Sequence, residues 1–76
     1  MYMKEISPEI TADEKIQFGK PVIVGTRVPV EVVIGHIAAG DSTEAVMKEY
    51  GLTKAQVLAA LKYAAKLVGE EMLIAR

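Results

Sequence analysis

Apolar and polar residues divide the chain into an extended N-terminal part and a helical remainder. Between residues 4 and 30, isolated apolar residues stand among polar ones, and a β-branched run, Val22–Val24, lies between turn-forming glycines. This pattern predicts short strands joined by turns. After residue 30 the apolar residues recur at helical spacing instead. We therefore expect residues 1–76 to form a single domain, with an extended ribbon over about 4–30 and helices over about 30–76.

The strands of this ribbon are predicted to be short. Its first part has four spaced apolar residues, Ile6, Ile10, Ile16 and Phe18. Pro8 restricts the first strand to an edge position, because proline has no N–H to donate. Two or three strands of this length do not form a stable sheet alone. Pairing with the same segment of a second chain would stabilise them.

The first helix is predicted from about Val30 to Ala39. Pro29 suits either an edge strand or the start of this helix. Gly40 suits its C-terminal cap, because glycine adopts the left-handed conformation without a steric penalty. The predicted apolar stripe consists of Val30, Val33, Ile34, Ile37 and Ala38.

Two further helices carry their own capping signals. The second begins after Asp41 and Ser42, either of which can cap it, and ends at Gly51. The third opens with Thr53-x-x-Gln56, which is typical of a capping box, and is expected to continue through residues 70–76. The core-facing residues of the second helix are Val46, Met47 and Tyr50. The apolar stripe of the third helix is Val57, Leu58, Leu61, Ala64, Ala65 and Val68.

Residues 43–64 have the order of a helix-turn-helix unit. Gly51 lies in a tight turn between two apolar residues, and Val57 and Leu61 anchor the following helix. The same spacing fits any two helices joined by a short turn. We predict a mainly α fold, namely a three-helix, homeodomain-like helix-turn-helix domain with short N-terminal β-strands and an extra C-terminal helical segment.

Composition limits how so short a chain gains stability. A chain of 76 residues, 51% of them hydrophobic, builds only a small core. It has no cysteine for a disulfide or a thiolate metal site. Self-association is the remaining means of stabilisation, so we expect a homodimer or a higher homo-oligomer.

The sequence offers little material for catalysis. On the N-terminal side of the single histidine, His36, the neighbouring acid is Glu31, five residues away and off its helical face. One histidine does not make a metal site. We therefore expect no enzyme activity, cofactor, bound metal or small-molecule substrate.

Charge allows a local nucleic-acid surface only. The net charge of −1 excludes a strongly basic binder, but residues 42–68 carry four lysines against two glutamates. Lysines neutralise phosphates and glutamine can pair with an adenine edge. A solvated lysine face is the alternative. It is favoured because the presumed recognition helix has no arginine or asparagine over residues 53–68 and its exposed face is rich in alanine. The candidate DNA-binding residues are Lys54, Gln56, Lys62 and Lys66.

Two glycine turns in the ribbon only superficially resemble phosphate loops. A P-loop needs Gly-Lys-Ser/Thr at the start of a helix, whereas Pro21 follows Gly19-Lys20 here, so nucleotide binding is excluded. Arg27 either ties loops together or contacts a partner. The candidate structural or partner-binding motif is Gly25, Thr26, Arg27 and Pro29.

The sequence shows no targeting segment. The first five residues lack the apolar region of a signal peptide. The longest apolar stretch, residues 28–40, contains Glu31 and His36 and is too short to span a bilayer. We expect a cytoplasmic protein that does not contact membranes.

Residues 19–30 read GKPVIVGTRVPV, which closely resembles the GKPxIxGTRIPV core of the domain of unknown function 433 family. Further resemblance lies in Ala39–Ser42, Glu49-Tyr50, Leu52-Thr53 and residues 57–64, so it covers about residues 5–66. It implies short strands followed by a homeodomain-like helical domain.

The resemblance also implies a role as a VapB-type antitoxin, encoded beside a PIN-like ribonuclease toxin. Such an antitoxin neutralises the toxin by direct binding and represses its own operon as a dimer. Toxin contacts would fall on the ribbon around Arg27 or on residues 70–76. A DNA-binding regulator without a toxin partner and a pure protein-interaction module are the alternatives.

Overall fold

The computed structural model describes residues 3–7, 9–13 and 19–75. Its elements are three strands, β1 (Met3–Ser7), β2 (Ile10–Asp13) and β3 (Val22–Ile23), and three helices, α1 (Val30–Ala38), α2 (Thr43–Tyr50) and α3 (Lys54–Ala75). The predicted mainly α fold with short N-terminal strands is confirmed. The predicted C-terminal helical segment is the end of α3, up to Ala75. The predictions for Pro8, Ile16, Phe18 and Arg76 fall outside the described residues.

The three strands form one antiparallel sheet within the chain, in the order β1-β2-β3. In its centre, Ile10 of β2 pairs with Ile23 of β3, and both side chains are fully buried. Both also belong to the cluster that holds the helices. The helices thus pack on the sheet at Ile10 and Ile23, and the three strands pair with one another within one chain.

The core lies between the sheet and the three helices. One buried cluster joins all of them: Ile10, Ile23, Val30, Val33, Val46, Leu52, Val57 and Ala60. Val46 is buried as predicted, with Met47 and Tyr50 packed against the cluster.

Two of the predicted apolar stripes are wider than the faces that pack on the core. Ala38 of α1 is exposed, as are Leu58, Ala65 and Val68 of α3. A narrower face of α3 packs on the core, and its residues Val57 and Ala60 are fully buried. Residues at 57, 60 and 64 and residues at 58, 61, 65 and 68 each follow helical spacing, and the sequence alone does not separate these adjacent stripes.

Both α1 and α2 end in a left-handed glycine, as predicted. Gly40 has a φ of 103° and Gly51 a φ of 68°. The N–H of Asp41 donates to the His36 carbonyl over 3.0 Å, and the N–H of Leu52 donates to the Met47 carbonyl over 2.9 Å. These are the bonds of the Schellman motif, which reverses the chain immediately after a helix.

The helix starts follow their capping signals. Of the two candidates for α2, Ser42 is the cap, and its Oγ accepts from the Ala45 N–H over 3.1 Å. The capping box of α3 is complete. The Thr53 N–H donates to Gln56 Oε1 over 2.8 Å, and the Gln56 N–H donates to Thr53 Oγ1 over 3.1 Å. The caps place α2 and α3 on either side of a turn of three residues, 51–53.

Candidate functional site

The α2–turn–α3 unit presents the outward side of α3. Leu52 in the turn and Val57 on α3 are buried, so the unit is fixed to the core at both places. The opposite side of α3 carries Lys54, Lys62 and Lys66, all exposed. Within the described residues, none of these lysines forms an ion pair with a carboxylate. The structure therefore brings three of the four candidate DNA-binding residues to one exposed surface.

Gln56 differs from the three lysines. Its side chain is half-buried, and Oε1 already accepts the Thr53 N–H in the capping box. A bidentate contact to adenine would require that oxygen to leave the helix cap. The outward side of α3 thus offers positive charge, with exposed Leu58 and Ala65 among the lysines.

The candidate motif around Gly25 forms a tight loop after β3. The N–H of Ile23 donates to the Val28 carbonyl over 3.0 Å, and Gly25 has a φ of 79°. The Thr26 hydroxyl donates to the Ile23 carbonyl over 2.7 Å and accepts the Val28 N–H over 3.0 Å. Thr26 is therefore a structural tie inside the loop, whereas Arg27 is exposed on it.

The sequence left two roles open for Pro29, an edge strand or the start of a helix, and Pro29 has both. It forms a bridge with Val22 and is also the N-cap residue of α1, with extended backbone. The next residue, Val30, donates its N–H to the Pro21 carbonyl over 3.0 Å. The strand pairing thus continues up to the first turn of α1, which fixes the direction of that helix.

The lysine of the GKPVIVGTRVPV segment, Lys20, pairs with an acid of α1. Its Nζ lies 2.9 Å from Glu31 Oε2, and both side chains are more than half exposed. An exposed ion pair of this kind contributes little to stability. The ion pair balances the charge of Lys20 with that of Glu31 beside the start of α1.

A further polar cluster surrounds His36, and it was not predicted from the sequence. His36 Nδ1 lies 2.7 Å from Asp41 Oδ2, and His36 Nε2 lies 2.7 Å from the Tyr50 hydroxyl. A ring protonated on Nδ1 donates to Asp41 and accepts from Tyr50. Both ring nitrogens then have partners, so the cluster links the end of α1 to the end of α2.

Helical spacing does not indicate the pairing of His36 with Asp41. The two residues are five apart and meet only because the Schellman turn at Gly40 folds the chain back. The motif brings together the residue four positions before its glycine and the residue directly after it. An acid directly after the glycine was therefore the signal that could have revealed the pair.

Histidine and carboxylate side chains can also bind metal ions. Among the described residues, no three histidine or carboxylate side chains come close enough together to hold an ion. In the same part of the chain, none of the helices has the length and apolarity needed to span a bilayer.

Comparison with known families now places the chain. The model of a family described as "Protein of unknown function (DUF433)" matches residues 10–64. The chain belongs to the DUF433 family. The resemblance predicted from the GKPVIVGTRVPV motif is thus confirmed, and the match contains the Gly25 loop, α1, α2 and the first half of α3.

A solved structure with a related fold is that of Rv2018 from Mycobacterium tuberculosis. It is 36% identical in sequence and has a TM-score of 0.63, with 68% of this chain and 24% of Rv2018 covered. The DUF433 chain therefore corresponds to about a quarter of that protein. No curated protein matches the chain.

The structure of the Gly25 loop leads to a first prediction. We expect Thr26→Val to lower the free energy of unfolding by about 1–2 kcal/mol, because the half-buried Val28 N–H loses its acceptor and the Ile23 carbonyl loses a donor. Urea denaturation followed by circular dichroism measures this change. Thr26→Ser keeps the hydroxyl and should stay within about 0.5 kcal/mol of the wild type. Equal losses in the two variants would show that the hydroxyl is not the tie.

Proposed function

We propose that this DUF433 protein is a binding protein of the antitoxin kind. It neutralises a PIN-like ribonuclease by direct contact and, as a homodimer, binds duplex DNA through the outward side of α3. The observation that carries the proposal is the exposed surface of the α2–turn–α3 unit, where Lys54, Lys62 and Lys66 surround apolar side chains.

The lysines support a contact with phosphates rather than with base edges. Each is exposed and without a carboxylate partner in the described part of the chain, so its charge is available to a polyanion. Lysine neutralises phosphates and releases counterions whatever the base sequence. Gln56, which could read a base, is occupied in the helix cap. We therefore propose salt-sensitive binding with limited sequence preference.

Exposed apolar residues support binding to protein. Leu58, Leu67 and Val68 are 39%, 43% and 53% exposed on α3, although the chain buries other residues of the same kind completely. Leu58 and Val68 lie on one side of α3, whereas Leu67 lies on another, so the first two form the group. Apolar side chains grouped on an otherwise polar surface mark protein interfaces. For the toxin, the proposed contacts are the loop around Arg27 and the segment of residues 70–76.

The toxin part of the proposal predicts that a PIN-like ribonuclease is encoded beside this chain, and it is tested with that protein. We expect the two proteins to co-purify at a 1:1 ratio of chains, and the ribonuclease to lose its activity on a single-stranded RNA substrate. Arg27→Ala and a deletion of residues 70–76 should each weaken inhibition at least tenfold if they contact the toxin. Lys48→Ala, on the exposed side of α2, is the control and should inhibit like the wild type.

A ribonuclease that stays fully active at saturating amounts of the chain would overturn the toxin part of the proposal. The exposed lysines favour a second candidate, a DNA-binding regulator without a toxin. That candidate predicts operator binding that falls steeply with salt and is unaffected by Arg27→Ala. Lysine variants that leave repression unchanged would instead favour a pure protein-interaction module.

A further inference from the structure

Apolar residues along one side of α3 follow a heptad spacing. Leu58, Leu61, Ala65 and Val68 are separated by three, four and three residues. In the sequence of the same helix, Met72 and Ala75 continue with four and three. An alternation of three and four is the a/d pattern of a coiled coil, in which one helix packs along another. We call the positions 58, 61, 65, 68, 72 and 75 the α3 seam.

The seam is separate from the side of α3 that holds the domain together. Val57 and Ala60 face the core and are fully buried. Ala65 and Val68 are exposed and Leu58 is 39% exposed, while Leu61 lies at the border and packs partly on the core. Folding of one chain therefore leaves most of the described seam in contact with water.

The spacing indicates which kind of partner covers the seam. Knobs-into-holes packing requires a second helix with the same 3.5-residue repeat over several turns. Within the described residues, α1 and α2 have nine and eight residues, whereas α3 has 22. Another copy of α3 supplies the matching repeat, and a two-fold axis makes such an interface self-complementary.

Charges beside the seam permit this pairing. Over residues 57–69 the flanking e and g positions are Val57, Lys62, Ala64 and Gly69, of which only Lys62 is charged. In a parallel pair, Lys62 lies opposite Val57 of the other helix. In an antiparallel pair centred between Ala65 and Val68, it lies opposite Gly69. Lys54, four residues before Leu58, is the preceding d position of α3, so a parallel pair would place two lysines against each other at the start of the helices. The antiparallel pair keeps the two copies of Lys54 at opposite ends, so like charges do not oppose that arrangement.

We infer that the DUF433 chain dimerises by packing α3 against α3 of a second copy along the seam. This inference rests on the homodimer of the proposed function and locates it. The seam covers Leu58 and Ala65, so the DNA contact of the dimer falls on the lysines beside the seam and not on the apolar side chains between them. The second half of α3 extends past the family-matched residues, so its seam is a feature of this chain beyond the DUF433 match.

The oligomeric state of the full chain tests the inference. By light scattering after size-exclusion chromatography, we expect twice the mass of one chain for the wild type. The double variant Ala65→Glu/Val68→Glu should be monomeric, with a dimer dissociation constant raised at least a hundredfold. Ala55→Glu places the same charge at an exposed position off the seam and should remain dimeric. Circular dichroism verifies that all three proteins are folded.

The outcomes separate this inference from the proposed function. A wild-type dimer that survives the double substitution would reject the seam and leave the proposed dimer in place. A wild type that is monomeric at millimolar concentration would reject both. Loss of dimer in the double variant, with ribonuclease inhibition retained, would support the seam independently of the toxin contact.

Because the chain contains no cysteine, disulfide cross-linking gives a second test. Under mild oxidation, Ala65→Cys should cross-link with itself in a parallel pair, or with Val68→Cys in a mixture if the pair is antiparallel. Lys66→Cys, one position along but off the seam, should stay uncross-linked. Absence of covalent dimer from Ala65→Cys both alone and in the mixture would contradict the inference.

Discussion

Replacing Lys54, Lys62 and Lys66 together by glutamate is expected to weaken binding of duplex DNA at least a hundredfold at low salt. Three lysines from each chain give a dimer about six phosphate contacts, for which affinity falls roughly a thousandfold between 50 and 200 mM salt. The triple variant should lose that dependence together with the affinity. Fluorescence anisotropy with a labelled duplex across a salt series measures both.

Two control variants make this result specific. The triple Lys→Arg variant keeps the charge and should bind within about threefold of the wild type, since arginine also contacts phosphates. Lys48→Glu reverses one charge on α2 and changes the net charge as much as one reversal on α3 does. It should weaken DNA binding less than a single reversal on α3. A wild type without measurable affinity at 50 mM salt, or a triple variant with an unchanged salt slope, would end the DNA part of the proposal.

Truncation of one buried valine is expected to cost a large part of the stability of the domain. Val33 is fully buried in the cluster that joins the sheet to the helices. Val33→Ala removes two methyl groups and leaves a cavity, so the free energy of unfolding should fall by roughly 2–3 kcal/mol. For a domain of this size the melting temperature should fall by roughly 10–20 °C.

The adjacent residue provides the matched control. Val32 precedes Val33 on α1 and is only half-buried. Val32→Ala makes the same chemical change with the same gain in helix propensity, but its cost should stay below about 1 kcal/mol. Thermal and urea denaturation of the two variants side by side give the difference. If both variants lost the same stability, burial of Val33 would not be the cause.

The helix boundaries were predictable because local chemistry determines them. Gly40 and Gly51 end helices, and Thr53 with Gln56 starts one, through bonds between residues a few positions apart. The short strands were predictable for the same reason, from the β-branched run between two glycine turns. These features depend on the backbone and its nearest side chains, and hence on sequence spacing.

The side of α3 that faces the core was less predictable. Ala60 is completely buried and Leu58 is not, although leucine is the more hydrophobic residue. The difference lies in how closely α3 approaches the rest of the core, where a small side chain fits and a large one does not. Hydropathy along the chain contains no information about that distance.

In the candidate site, the exposure of the lysines was predictable from the sequence, but the hydrogen bonds of Gln56 and His36 were not. Lys62 and Lys66 are exposed because they lie opposite the core side of α3, which helical spacing conveys. The roles of Gln56 as a cap and of His36 as a link between helices depend on hydrogen bonds formed only after the chain has turned. For the three lysines and Gln56, DNA binding stays a prediction.

The two glycine turns also restrict how the length of this protein can change. In each, the residue after the glycine does more than close the backbone, since Asp41 holds the His36 ring and Leu52 fills the core. One inserted or deleted amino acid would break the backbone closure and displace that side chain together. Insertions in either turn would therefore destabilise the fold, because the length of the turn determines side-chain placement as well as the path of the backbone.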